Sequence, residues 1–287
     1  NALQYIEQAA QLDNASEYLS VKAKLLVTLG QCDRAVADYD MLLQSSIITP
    51  ENPDVLKAQN CHYAISEANN AYLNQDYERA ASLYHEALQY VEHGTDLVWP
   101  KAVSLFHIGD YYGVISETGK LLKLQNNNID CYRLRGSAYF RLGDHDQAIL
   151  HFREGLKLDP EHKESKDLHK LVKSLEKKKK KGQDAYDKGD YRAAIDHWLA
   201  ALEIDPSHDA FNRPLRLELA KAYSRQGEHN IAISMVQNHI AEEETVEGLW
   251  ILGELQQAAE HYQEAVQTFD RALEIAPDDM NRQARQK

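Results

Sequence analysis

The chain has 287 residues, of which 43% are hydrophobic and 27% charged, a balance that suits one long solenoid or two ordinary domains. Its formal net charge of −13 argues against non-specific nucleic-acid binding, because that binding needs a basic face. No stretch approaches the roughly 18 consecutive apolar residues of a transmembrane helix, so membrane insertion is not expected.

One pattern of small residues, turns and aromatic rings recurs along the chain. Residues 131–160 and 181–206 are near copies of each other, and a period of about 34 residues is typical of the tetratricopeptide repeat, a helix–turn–helix unit. Two intervals between copies exceed one repeat by about three helical turns, which predicts two elongated helices. The residues that anchor the copies are Ala2, Ala35, Ala80, Val114, Ala148, Ala194, Ala232 and Ala265.

The copy at residues 131–160 shows the physical reason for each recurring residue. Gly136 lets the two helices of the unit approach closely, and Phe152 fills the space that the missing side chain leaves. Gly143 can adopt the left-handed conformation that ends the first helix. Asp144 can then cap the second helix, and Pro160 stops it.

In chain order, residues 1–50 are predicted to hold the end of a first repeat block, followed by a loop around the two prolines of residues 48–53. Residues 51–163 are predicted as a middle block of three repeats, which begins with a long helix from about Val55 to Leu73 that Asp54 caps. The second of these repeats is degenerate, since it has Val114 where the other copies have alanine.

Residues 164–287 are predicted as a last block of three repeats, followed by the start of a C-terminal helix at Asp278. The block begins with a second long helix from about Ser165 to Lys188. The run Lys177–Lys181 is interpreted as a solvated face of this helix, with a localisation signal or a patch for an anionic partner as the alternative. The predicted fold class is therefore all-α: a right-handed superhelical solenoid of tetratricopeptide repeats in blocks joined by long helices.

The sequence carries no motif of a catalytic or metal site, such as a nucleophile elbow, a phosphate-binding glycine loop or a zinc-binding histidine pair. We therefore expect neither an enzyme nor a bound cofactor or metal. His145 and His229 occupy a turn position that is aromatic in other copies, which predicts packing. Cys32, Cys61 and Cys131 lie in different repeats and are odd in number, so we expect isolated, small apolar residues.

The first helices of stacked repeats form a concave surface that binds partners. In the middle block this surface is apolar and aromatic with one cation, which favours unfolded or extended polypeptides. The alternative is that Trp99 and Phe106 only fill space left by the degenerate repeat. The candidate client-binding positions are Ile65, Asn69, Tyr72, Trp99, Val103, Phe106, Arg133, Ser137 and Phe140.

The corresponding surface of the last block is more polar. A clamp for a C-terminal carboxylate would need cations there, but Glu218 and Glu247 occupy two of its positions and would repel the ligand. We therefore reject such a clamp. The positions predicted to face the concave surface of this block are Lys179, Gln183, Tyr186, Leu217, Lys221, Ser224, Trp250, Glu254 and Gln257.

Two features are more specific than the repeat itself. One is the grouping of three-repeat blocks joined by long helices. The other is a set of segments at Leu142–His145, Leu156–Lys163, Lys170–Leu175 and Gly189–Tyr191. In both features the chain resembles the DnaJ-type co-chaperones of the endoplasmic reticulum lumen, also known as the family of the inhibitor of the interferon-induced protein kinase, in which nine repeats precede a J domain.

This resemblance implies that the repeats hold unfolded clients in the endoplasmic reticulum lumen and that a J domain stimulates the chaperone BiP. It also implies cysteine pairs in the repeats. No His-Pro-Asp tripeptide occurs in the sequence, so we expect no J domain in this chain, and the family's first block is mostly missing. The alternatives are a scaffold that assembles a stable multiprotein complex through its concave face, and a cytoplasmic location.

Overall fold

The structure is a computed structural model that describes residues 2–12 and 16–276. Over these residues the secondary structure consists of α-helices without any strand, which confirms the all-α prediction. The predicted cap at Asp278 lies outside the described residues. The helices are α1 (Ala2–Leu12), α2 (Ser16–Thr28), α3 (Cys32–Gln44), α4 (Pro53–Leu73), α5 (Tyr77–Tyr90), α6 (Thr95–His107), α7 (Tyr111–Leu124), α8 (Ile129–Arg141), α9 (His145–Leu158), α10 (Lys163–Asp187), α11 (Tyr191–Leu202), α12 (Asp209–Arg225), α13 (His229–Glu242), α14 (Val246–Ala258) and α15 (Tyr262–Ile275).

The turns of the repeats form as the sequence predicts. Gly143 has a φ of 80°, a left-handed conformation that glycine adopts without steric cost. The Asp144 carboxylate accepts a hydrogen bond from the backbone N–H of Gln147 at 3.1 Å, which caps α9. A Cβ atom on Gly136 would lie 2.8 Å from Cε1 of Phe152, so the glycine and the ring fill one space.

Both elongated helices are present, and one predicted cap is wrong. α4 runs over Pro53–Leu73, and α10 runs without interruption over Lys163–Asp187. The cap of α4 is Asn52 rather than Asp54, because the Asn52 side chain accepts from the backbone N–H of Asp54 at 2.9 Å. Pro53 then opens the helix at a position whose N–H needs no partner.

The chain divides into two compact units, one of residues 1–139 and 150–165 and one of residues 140–149 and 166–287. The division into three blocks, with boundaries after residues 50 and 163, remains a prediction. The core of the first unit is rich in alanine along α4, where Ala58, Ala64 and Ala68 are fully buried. The second unit buries the large ring of Trp198, whose Nε1 donates to the backbone carbonyl of Lys179 at 3.1 Å.

The expectation that all three cysteines stay unpaired is wrong. Cys32 and Cys61 form a disulfide between the start of α3 and the middle of α4, with an S–S distance of 2.05 Å. Neighbouring repeats bring the two Cα atoms within 5.9 Å, a proximity that sequence spacing cannot reveal. Cys131 is a free thiol in the core, and burial raises its pKa to about 11.

No helix in the two described ranges is both long enough and apolar enough to cross a bilayer.

Candidate polypeptide-binding groove

Six of the predicted client-binding residues lie on two neighbouring helices of the first unit. Ile65, Asn69 and Tyr72 are on α4, and Trp99, Val103 and Phe106 are on α6, which contacts α4. Asn69 is exposed and the other five side chains are partly buried, so each of the five still presents some surface. We call these six residues the aromatic groove.

Further rings extend the aromatic groove beyond the predicted positions. The Tyr72 ring packs edge-on against Tyr77 at 6.0 Å, and Tyr77 stacks on His107 with ring centroids 4.0 Å apart and planes 8° apart. Phe106 packs against Tyr111 at 5.5 Å. Tyr77 and Tyr111 are not among the positions that the sequence pattern predicted for the groove. Their contacts depend on the meeting of α4, α5, α6 and α7, which spacing along one helix cannot show.

The phenols at one end of the groove stay uncharged at neutral pH. The Tyr84 hydroxyl donates a hydrogen bond to Oδ1 of Asn69 at 2.7 Å. Burial, followed by the neighbouring Tyr72, raises the pKa of Tyr84 to about 12. Burial and Tyr77 also raise the pKa of Tyr72. These two phenols therefore add no charge to this end of the groove.

The rings on α6 also belong to the core beneath the groove. Trp99, Val103 and Phe106 pack against a cluster of buried residues on α6, α7 and α8. Part of the alternative interpretation is therefore correct, since these rings do fill space beside the degenerate repeat. Their remaining exposure leaves one face for a ligand. The buried members of the cluster are Ala102, Val114, Leu134 and Ala138.

The three predicted positions on α8 add little to this surface. Arg133 forms ion pairs with Glu164 at 3.1 Å and with Asp130 at 3.6 Å. Ser137 is 8% exposed, and its hydroxyl donates to the backbone carbonyl of Arg133 at 2.9 Å. Phe140, in the second unit, is only 4% exposed. The aromatic groove on α4 and α6 is therefore the part of the predicted site that retains accessible apolar surface.

Comparisons with known proteins agree with this architecture. The tetratricopeptide repeat family matches residues 129–162 and 217–279. Two rice proteins (Oryza sativa subsp. japonica), DnaJ protein P58IPK homologs B and A, are 34% and 33% identical to the chain over 273 residues, which is 93% of this chain and 57% of each relative. The chain is similar in sequence to the P58IPK-type DnaJ proteins. It spans somewhat more than half the length of these two relatives.

Two further comparisons support the relationship and the fold. DnaJ homolog subfamily C member 3 of chicken (Gallus gallus) is 30% identical over 160 residues, 54% of this chain and 32% of that protein. The crystal structure of the P58(IPK) TPR domain superimposes with a TM-score of 0.76 at 23% identity, covering 97% of this chain and 79% of that one. The second match shows the fold, and it confirms the predicted repeat architecture.

The second unit contains a buried histidine pair. His145 packs against the rings of Phe140 and Phe211, as predicted for a packing residue. Its Nδ1 lies 2.6 Å from Oε1 of Glu176, and its Nε2 lies 2.9 Å from Nε2 of His208. Burial, followed by the neighbouring His145, lowers the pKa of His208 to about 4. Over the residues that the structure describes, no group of three or more histidine, cysteine or acidic residues is placed to hold a metal ion.

Seven of the nine concave positions predicted for the last block line two cavities of the second unit. Lys179, Gln183 and Leu217 line a cleft of about 560 Å³. A second cavity, of about 470 Å³, is lined by four further predicted residues, Tyr186, Lys221, Ser224 and Glu254. Glu218 and Glu247, which led us to reject a carboxylate clamp, also line the first cleft. We call this first cleft the charged cleft.

Proposed function

We propose that the aromatic groove binds unfolded or extended polypeptide, as part of a co-chaperone that holds such clients for a BiP-type luminal chaperone. The observation that carries the proposal is the aromatic surface on α4 and α6, where Tyr72, Trp99 and Phe106 are only partly buried. The relationship to DnaJ proteins supports a role beside an Hsp70-type chaperone.

The physics of the groove suits ligands of varied sequence. An unfolded chain exposes apolar side chains, and each gains roughly 25 cal/mol per Å² of apolar surface removed from water. This gain is non-directional, so a surface of rings accepts many sequences without a fixed pattern of hydrogen bonds. The net charge of −13 keeps such a complex soluble and favours clients with basic flanks.

The proposal assigns stimulation of BiP to a J domain outside this sequence, which has no His-Pro-Asp tripeptide. We therefore expect the chain to hold a client without ATP and to leave ATP hydrolysis by BiP unchanged. Stimulation of that hydrolysis by this chain alone would contradict the assignment.

A luminal location is supported by the Cys32–Cys61 disulfide, because such bonds persist mainly in oxidising compartments. The test is thiol labelling of the protein from its own cells, after rapid acid quenching. Protection of both cysteines until a reductant is added would support the lumen. Two reactive thiols in the denatured, unreduced protein would instead support the cytoplasmic alternative.

The test of client holding is light scattering from a chemically denatured client, diluted with or without the chain. We expect wild type to suppress scattering and Trp99→Ala to lose most of this effect. Because Trp99 also packs on the core, Val114→Ala is the matched control: Val114 is fully buried in the same cluster and adds no surface to the groove. Both variants lose packing, but only Trp99→Ala removes a ring from the groove. Equal loss of activity in the two, measured well below both melting temperatures, would contradict the proposal.

The same experiment addresses the scaffold alternative. A scaffold for a stable complex would bind a folded partner and ignore a denatured client. Failure of the wild-type chain to suppress scattering would therefore favour the scaffold.

A further inference from the structure

The charged cleft has features that the aromatic groove lacks. Residues of α10, α12, α13 and the start of α14 line it, all in the second unit. Pro214, Leu215 and Leu217 provide an apolar part of its lining, and charged side chains provide much of the rest. With a volume of about 560 Å³, the cleft has room for a few residues of an extended chain.

Arg213, which lines this cleft, has unused hydrogen-bonding capacity. Its Nη1 donates to Oε2 of Glu243 at 2.6 Å. The neighbouring donors Nε and Nη2 are buried and have no hydrogen-bond partner among the described residues. A buried charged donor without an acceptor destabilises the structure, because it has lost its hydrogen bonds to water without replacement. A ligand that brings an acceptor oxygen to this guanidinium would remove that cost.

His239 is a second unsatisfied group in the lining. It is 9% exposed, and its Nδ1 is buried without a partner within the described ranges. Burial, followed by the charge of Arg213, lowers the pKa of His239, so the ring is neutral at pH 7 and can accept or donate one hydrogen bond. Two adjacent side chains of the cleft therefore lack partners that a polar ligand could supply.

The charges of the lining determine which kind of ligand fits. Four carboxylates, those of Asp209, Glu218, Glu243 and Glu247, outnumber the two cations, Lys179 and Arg213. Glu218 is paired with Lys221 at 2.8 Å and Glu243 with Arg213, whereas Asp209 and Glu247 form no ion pair with any described residue. This excess of negative charge disfavours a carboxylate ligand. It favours a ligand that carries both a neutral hydrogen-bond acceptor and a nearby positively charged group.

The geometry points to the charged cleft as a second polypeptide-binding site, for an extended segment that carries a lysine or arginine side chain. A main-chain carbonyl of the segment accepts a hydrogen bond from the Arg213 guanidinium. The basic side chain of the segment pairs with Asp209 and Glu247, and its aliphatic stem packs against Leu217. The inference goes beyond the proposed function, because none of these residues belongs to the aromatic groove.

The test is fluorescence anisotropy of the whole chain with a short labelled peptide of alternating alanine, leucine and lysine. The control probe has glutamate in place of each lysine. We expect the lysine peptide to bind at least about tenfold more tightly than the glutamate peptide. Tighter binding of the glutamate peptide would show a carboxylate site and overturn the inference, as would equal binding or no binding of either probe.

Two variants of the cleft locate the binding. Glu247→Gln removes an unpaired carboxylate and is expected to weaken binding of the lysine peptide by about three- to tenfold. Arg213→Lys keeps a cation beside Glu243 but lacks the planar donors, so a loss of about tenfold is expected. Glu203→Gln is the matched control, because Glu203 is exposed and does not line the cleft. Circular dichroism verifies that all three variants fold.

Peptide binding to the charged cleft can be separated from client binding to the aromatic groove. Trp99→Ala is expected to lose client holding and to keep the lysine peptide, and Glu247→Gln is expected to do the reverse. If Glu203→Gln and Glu247→Gln weakened peptide binding equally, binding would depend on the overall charge of the protein and not on the cleft. That result would overturn the inference.

Discussion

The aromatic groove and the charged cleft show how one repeat fold presents two kinds of chemistry. Both surfaces are built on first helices of repeats, at positions that the sequence pattern identifies. In the first unit these positions carry Tyr72, Trp99 and Phe106, whose rings partly face solvent. In the second unit they carry Lys179 and Gln183, which join acidic residues around a cleft. The small residues and turns that define the repeat fix the backbone geometry. The side chains at the remaining positions can vary, and they determine which ligand the surface suits.

The two units also stabilise their long helices differently. α4 is tied to α3 by the Cys32–Cys61 disulfide and buries a row of alanines. α10 has no such bond; it contributes Glu176 to the buried histidine pair and Gly182 to the space beneath Trp198. The long helix of the first unit is therefore linked covalently to its neighbour, and the long helix of the second unit is held by polar and aromatic contacts. The predictions below test this contrast.

The largest expected effect is the loss of the disulfide in the first unit. The bond joins residues separated by 29 positions, and closing a loop of that size stabilises a protein by about 3–4 kcal/mol. We expect Cys32→Ala with Cys61→Ala to lower the free energy of unfolding by that amount in denaturant titrations. A reductant should destabilise wild type similarly and leave the double variant unchanged. A loss below about 1 kcal/mol would show that packing alone holds α3 to α4.

A proline in α10 tests the second long helix. Ser174→Pro would remove a helical hydrogen bond and clash with the preceding turn, at a cost of about 3 kcal/mol or more. Ser174→Ala, which favours the helix, is the control and should be neutral or slightly stabilising. Circular dichroism with thermal unfolding measures both. A proline variant as stable as the alanine variant would contradict a continuous helix from Lys163 to Asp187.

Acid should weaken the second unit through its buried histidine pair. The pKa of His208 in the folded protein is about 4, against 6.5 for an ordinary histidine. Well above pH 6.5, the His208 ring is neutral in both the folded and the unfolded protein. As the pH falls toward 4, the ring takes up a proton in the unfolded chain but not in the folded protein, so the free energy of unfolding decreases. The full loss for His208, reached as the pH falls to about 4, is about 3 kcal/mol, at about 1.4 kcal/mol per pH unit.

His151 of the first unit provides the comparison for this pH effect. Burial, followed by the charge of Arg135, lowers its pKa to about 4 as well. We expect His208→Gln and His151→Gln each to reduce the difference in unfolding free energy between pH 7 and pH 5. The two reductions should add in the double variant. Denaturant titrations at both pH values measure them. An unchanged pH dependence in His208→Gln would contradict the role of the buried pair.

The smallest expected effect is a difference in how salt changes ligand binding at the two surfaces. Ligand binding to the aromatic groove depends on apolar burial, so raising the salt concentration should change it little. Binding of the lysine peptide to the charged cleft should weaken several-fold between low and physiological ionic strength, because salt screens exposed charges. Anisotropy and light scattering at matched salt concentrations measure the two. Equal salt dependence would remove the distinction between the surfaces.

Much of the architecture could be predicted from the sequence, because the repeat depends on local rules. Gly143 ends a helix through its own conformation, and Phe152 fills the space beside Gly136 within one repeat. Both long helices were likewise predictable from the interval between repeats. The cap of α4 was misassigned because Asn52 and Asp54 are both capable caps, and only the structure shows which side chain accepts.

Contacts between repeats could not be predicted. The Cys32–Cys61 bond, the stacking of Tyr77 on His107 and the unsatisfied donors of Arg213 depend on how side chains of different helices meet. A single sequence provides no information on these distances. The position of Phe140 on a first helix suggested exposure, but its ring packs against His145 and His208 in the core.

The central claim, that clients bind at the aromatic groove, is tested most directly by photo-crosslinking. A benzophenone-bearing phenylalanine replaces Tyr72 on α4 or Phe106 on α6, and replaces Tyr112 on α7 as the control. Tyr112 is 76% exposed, so its ring is more accessible than either groove ring. With a denatured client, we predict strong adducts from the two groove positions and few from Tyr112. Adducts that follow simple exposure, with Tyr112 the strongest, would contradict the claim.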